Sequence, residues 1–139
     1  MSNKHNHPRK DEMGVFWIPA DTDIPMEYKL IENNWRAMSQ LIDGYCTLVH
    51  SELMPELYCG CRMVMVVDEE GEMKNLTQNL RAQIYYPHPY PVVGDVFLMA
   101  EGLVYTADGV DVDLFGLPPE LNRWEGPGSP LPPIELVGS

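Results

Sequence analysis

The run CRMVMVV, residues 61–67, is apolar at every position except Arg62. A strand with one wet face alternates apolar and polar side chains, whereas a strand buried on both faces reads as an unbroken β-branched or apolar run. Residues 61–67 are therefore expected to form a strand buried on both faces and central in a sheet. Asp68, Glu69, Glu70 and Gly71 follow directly and have the composition of a turn.

The other elements arrange themselves around that strand. VFWIPA, residues 15–20, is a short β-forming run stopped by Pro19. MEYKLI, residues 26–31, alternates with Met26, Tyr28 and Leu30 on one face, and the two runs can pair as a hairpin. A helix is expected next. Asn33 or Asn34 is its N-cap, Trp35, Met38, Leu41 and Ile42 form its apolar stripe, and Gly44 is its left-handed cap. YCTLVH, residues 45–50, reads as a strand. NLTQNLRAQIYY, residues 75–86, reads as a second helix with Asn75 or Thr77 as cap and Leu76, Leu80 and Ile84 inward. The prolines of PHPYP end it. A strand over 96–100 follows, and an Asp108–Gly109 turn can join two short edge strands.

The order β-β-α-β-β-α-β predicts an α+β fold, a small mainly antiparallel sheet with two helices packed on one side. At 139 residues the chain is expected to be one domain over 15–124. Residues 1–14 read as a disordered leader and 125–139 as a Pro/Gly-rich tail without a core of its own.

Charge narrows the partners. With 21 acidic against 9 basic side chains the formal net charge is −12, which opposes direct nucleic-acid binding through a basic patch. It favours a basic protein partner, or serves solubility. The leader lacks the apolar core of a signal peptide and no run approaches the ~20 residues of a membrane span, so no membrane partner is expected. The odd cysteine count (Cys46, Cys59, Cys61) fits reduced thiols in a cytoplasm.

Candidates for chemistry are sparse. Cys46, Cys59 and Cys61 with His50 have the donor types of a zinc site, but C-x-C in a strand sets its sulfurs about 7 Å apart at ~3.3 Å per residue, unlike a C-x₂₋₄-C knuckle. No metal and no cofactor is expected. The leader pair His5 and His7 has no third ligand. The carboxylates 68–72 and 108–113 look solvated, do not repeat a calcium loop, and have no apolar pocket to raise a catalytic pKa. Phosphate-binding, dinucleotide, nucleophile-elbow and zincin motifs are missing, so no catalytic residue is assigned and no enzyme is expected. The segment 75–86 remains. Asn79, Arg81, Tyr85 and Tyr86 are the candidate ligand- or partner-binding residues, because an arginine near a helix start with tyrosines beside it can grip an anion or a carboxylate. The alternative is that Arg81 pairs with an acidic side chain of its own domain or caps a loop carbonyl.

IENNWRAMSQLIDGYCTLVH, CRMVMVVDEEGEMKNLTQNLRA, VVGDVFLMAEG and LFGLPPE, taken in that order, resemble an uncharacterised family of domains of unknown function found in phages, prophages and mobile elements of Gram-positive bacteria, actinobacteria included. The shared features are the glycine-ended helix, the DEEG turn, the NLRA element and the VGDV lead-in to a strand. The resemblance implies an accessory protein made in the bacterial cytoplasm and carries no activity. Asn79, Arg81 and Ala82 fall on the NLRA element. The expected function is non-enzymatic and works by protein–protein interaction. Trp17, Tyr85, Tyr86, Tyr90 and Trp124 are the aromatics expected to be exposed for it. A host protein and a second copy of the chain are both open as partners. The alternative function is binding or sequestering a nucleotide-like small molecule through Arg81 and the tyrosines.

Overall fold

The computed structural model describes residues 11–133 other than 52, 55, 59, 60, 87–89 and 127. The apolar run becomes β5 (Cys61–Asp68), in which Met63, Val64, Met65 and Val66 are all fully buried. It is central, as its composition requires. β6 (Val96–Thr106) pairs with one edge, and β3 (Cys46–Val49) and β4 (Glu56–Tyr58) share the other. The strands β1 (Glu12–Ile18) and β2 (Glu27–Glu32) make the expected hairpin, and β1 continues the sheet on β6. With β7 (Gly109–Phe115) paired to β6, the sheet has seven strands, and every named pairing is antiparallel.

Alternation along β5 and β6 divides the interior in two. Met63, Met65, Val96, Leu98 and Ala100 join Phe16, Ile18, Ala82, Leu121 and Trp124 on one face. Val64, Val66, Phe97 and Met99 join Met13, Val15, Met38 and Ile42 on the other. The helices are divided in the same way, which corrects the expectation of two helices on one side. Helix α1 (Trp35–Ile42) contributes Met38 and Ile42 to the second face. The short helix α2 (Leu80–Gln83) contributes Ala82 to the first, beside the 3-10 helix Pro119–Arg123. A strand that is apolar on both faces leaves two surfaces to be kept from water, and one layer of helices covers only one of them.

Local chemistry sets the boundaries. Asn34 caps α1 by accepting the Ala37 N–H at 2.8 Å. The left-handed residue is Asp43 (φ 59°), one position before the expected glycine. Gly44 is needed for space, since a Cβ there would lie 2.4 Å from Asp68 Oδ2. Lys74 Nζ donates to that same oxygen at 2.6 Å and to the Asp43 carbonyl at 3.2 Å, fastening the DEEG turn to the end of α1. Gly14 has a similar reason: the Tyr28 ring crosses it, and its hydroxyl donates to the Leu117 carbonyl at 2.9 Å. Burial first, and then the Glu120 charge, push the Tyr28 phenol up to about 12.

The second helix is four residues long, not twelve. Leu80 and Ile84, expected inward, are 62% and 53% exposed. The backbone before Leu80 is committed elsewhere. Gly94 N–H donates to the Thr77 carbonyl, Asn79 N–H to the Val92 carbonyl, and Gln78 bridges Val93. That short ladder holds residues 77–79 extended, so the cap moves to Asn79.

The folded part extends outward past both expected boundaries, residues 14 and 124. Met13, placed in the leader, is buried within β1. Trp124 is buried rather than exposed: its ring packs on Phe16 with centroids 4.8 Å apart and its Nε1 donates to the Ser129 carbonyl. Leu131 packs against the same cluster, so residues beyond 124 contribute to the core. A chain ending after Glu125 is expected to unfold at lower temperature than the full chain in a thermal melt, whereas a tail without contacts would leave the midpoint unchanged. Trp124→Ala in the full chain is expected to lose about 3–5 kcal/mol in urea unfolding.

Candidate functional site

The four residues singled out by sequence lie on the first face, and the two polar ones are bound into the fold. Asn79 is wholly enclosed. Its Nδ2 donates to the Ile18 carbonyl at 2.9 Å and the Gly94 carbonyl at 3.0 Å, and its Oδ1 accepts the Ala82 N–H at 3.1 Å. That leaves no polar direction for a ligand. Two residues on, Arg81 Nη2 lies 2.5 Å from the Pro19 carbonyl, 3.0 Å from that of Asp21 and 2.9 Å from that of Ile24. Its guanidinium holds the loop between β1 and β2, and its Nε is buried without a partner among the described residues. Of the two partners open to Arg81 within its own domain, an acidic side chain or a loop carbonyl, the described residues supply loop carbonyls.

The tyrosines flank this web. Tyr85 is half-buried and its hydroxyl accepts the Gly128 N–H, tying α2 to the tail. Burial pushes its phenol up, opposed by that hydrogen bond. Tyr86 is half-buried, and its carbonyl accepts from Gln83 Nε2 at 2.6 Å while Gln83 Oε1 accepts the Val92 N–H at 2.6 Å. One glutamine amide closes the loop from 86 to 92. The VGDV element joins the same web, because Asp95 Oδ1 accepts the Ala20 N–H at 2.9 Å. Tyr90 is 67% exposed, and Trp17 is half-buried with Lys29 Nζ 4.4 Å from its ring centroid.

An open site lies on the opposite face, where α1 begins. A cleft of about 380 Å³ is lined by Met13, Trp35, Met38, Leu48, Met99, Glu101, Val112, Asp113 and Leu114, with Asn33 and Asn34 at its rim. Trp35, expected on the inner stripe of α1, is 55% exposed at its edge. Beyond the cleft the β6–β7 hairpin continues as a two-stranded ribbon. Cross-strand pairs Leu103–Val112 and Tyr105–Val110 put four apolar side chains on one face, and they are 56%, 59%, 79% and 59% exposed in that order. The hairpin expected about Asp108–Gly109 is present, but its first strand is the continuation of β6, expected to end at Ala100, and the exposed apolar face was not anticipated. The alternation from Leu103 to Tyr105 and from Val110 to Leu114 was its available signal.

Glu101 stands where covered sheet gives way to open cleft. His50 Nε2 donates to its Oε2 at 2.9 Å, and Arg62 Nη2 to its Oε1 at 3.3 Å. Its side chain is 12% exposed. Burial raises its pKa, the hydrogen bonds and charges of His50 and Arg62 lower it, and the lowering wins.

The zinc alternative loses its geometry. Cys46 packs in the second cluster, whereas Cys61 alternates onto the first face and meets Gly102 there. Cys59 lies outside the described residues. Among the described residues no three His, Cys, Asp or Glu side chains converge as a metal site, and no helix is long and apolar enough to cross a membrane.

No family model and no curated protein matches the sequence. Among solved structures the chain is similar to the crystal structure of the small RNA methyltransferase HEN1, with a TM-score of 0.54 and 15% identity over 84% of this chain. It spans 16% of that protein's length. A likeness at this identity concerns the fold alone.

Arg81→Ala is expected to destabilise by about 2–3 kcal/mol in urea unfolding, because three loop carbonyls lose a charged donor. A ligand-gripping arginine would leave stability nearly unchanged. For Glu101 the folded pKa lies below its unfolded value, so its contribution is complete above the ordinary glutamate value of 4.5 and is lost as pH falls through the folded pKa. Glu101→Gln is expected to flatten that acid limb selectively, as read from urea midpoints between about pH 6 and pH 3.

Proposed function

We propose that this chain is a non-enzymatic accessory protein of a phage or mobile element, acting in the bacterial cytoplasm by binding another protein. The observation that carries the reading is the exposed apolar face of the β6–β7 ribbon, running into the Trp35 cleft. Scattered surface apolar residues need no explanation, but contiguous ones marked by large side chains on one face are the usual sign of a protein interface. Trp35 and Tyr105 are the types enriched at energetic centres of such interfaces. The resemblance to phage and mobile-element domains supplies the cellular setting, and the charge of −12 suits a cationic partner.

A nucleotide-like ligand has less support. Arg81 is engaged with backbone, and the charged residues lining the cleft are the acids Glu101 and Asp113. Neither arrangement offers an anion a free cation.

The test is site-specific photo-crosslinking in the bacterial host. A photoreactive residue at Val112 is expected to capture a defined host protein that the same residue at exposed Asp23 does not. Val112→Asp, with an unchanged melting temperature, is expected to compete no longer for that protein. Equal capture from both positions would remove the interaction reading.

A further inference from the structure

We propose that the outer edge of β7 accepts an extended segment of a partner as an added strand, and that this segment alternates apolar residues with Lys or Arg. The proposal rests on the interaction reading and specifies the partner's chemistry and mode of docking. Its first support is backbone. Among the described residues β7 pairs with β6 alone, leaving its other edge without a strand. Its seven residues, GVDVDLF, contain neither proline nor lysine, the usual residues that blunt an edge. Leu114 N–H donates to Asp113 Oδ1 at 2.8 Å, outside the ladder to β6. By the two-residue period of a strand, the N–H groups of Val110 and Val112 point the same way.

The second support is the pattern of side chains. Val110, Val112 and Leu114 share a face with Leu103 and Tyr105 across the ribbon. Asp111 and Asp113 are exposed and occupy the other face, opposite Val104 and Gly102. A strand laid on this edge sees apolar neighbours on one side and Asp111 and Asp113, followed by Phe115, on the other. Apolar side chains in alternate positions extend the apolar face toward the Trp35 cleft, and cations between them meet Asp111 and Asp113.

Charge weighs against a second copy as the occupant in the three registers centred on the middle of the strand, residues 111–113. A two-fold antiparallel pairing centred on Val112 sets Asp111 opposite Asp113 of the other copy, twice. Centring on Asp111 or Asp113 sets that carboxylate against itself. Like charges directly opposite one another destabilise a pair of strands, and two chains of charge −12 also repel at a distance. The aspartates that keep copies apart are the same groups that attract a basic strand.

The experiment uses the full chain and two capped peptides of ~7 residues, the length of an ordinary strand, one alternating Val with Lys and the other Val with Glu. Amide hydrogen exchange by NMR is the readout. The Val/Lys peptide is expected to slow exchange at Val110 and Val112 by roughly tenfold or more, while the Val/Glu peptide leaves them unchanged. The double variant D111K/D113K, folded as judged by its melting temperature, is expected to reverse that preference. Equal protection by both peptides, protection by neither, or protection that grows with protein concentration alone overturns the proposal. If crosslinking at Val112 succeeds while the peptides give no protection, strand addition fails and the interaction reading stands. If both fail, the reading falls with it.

Discussion

The side-chain amide of Asn79 joins segments that are distant in sequence, and it does so by direct hydrogen bonds. It contacts the end of β1 through the Ile18 carbonyl, the lead-in to β6 through the Gly94 carbonyl, and the first turn of α2 through the Ala82 N–H. A buried amide left unpaired is expensive, so all three partners must arrive together. A helix of four residues has no stability of its own, and α2 exists because this cap and its buried Ala82 hold it against the sheet. Arg81 and Gln83 then extend the same anchorage to the loops on either side.

The sheet built on that anchorage has two apolar faces with unequal cover. α2, the 3-10 helix and the segment around Trp124 close the first. On the second, eight-residue α1 reaches only as far as Trp35, and the strands continue past it. His50, Arg62 and Glu101 mark that limit, since a carboxylate with two cationic or donor partners can be tolerated where water still reaches. Past them lies the ribbon, where apolar side chains meet solvent on one face and aspartates on the other. The apolar surface left open is therefore the part of the sheet that its own helices do not reach.

The DEEG, NLRA and VGDV elements find a physical account in the scaffold. DEEG closes a turn through Asp68, whose Oδ1 accepts the Glu70 N–H while Oδ2 holds Lys74. NLRA provides the Asn79 cap, the Arg81 loop anchor and buried Ala82, and VGDV provides the Asp95 acceptor for Ala20. These residues position strands, and the cleft draws on other parts of the chain.

Local pattern was sufficient for the central strand, the β1–β2 hairpin and α1, because each depends on interactions within a few residues or on an unbroken apolar run. It was insufficient for residues 75–86, whose helical spacing is real but whose backbone is taken up by residues 92–94. It also placed the helices on one face, although the run 61–67 already implied two faces needing cover. An arginine beside tyrosines reads the same in a string of letters whether it grips a ligand or three loop carbonyls. The carbonyls come from residues about 60 positions away, and only folding brings them within reach. The cleft was less legible still, since it consists of what α1 leaves uncovered. The chain alone determines which residues seek the interior. Tertiary packing decides which of them fail to find it, because the length of one helix against the breadth of one sheet is a property of the assembled structure.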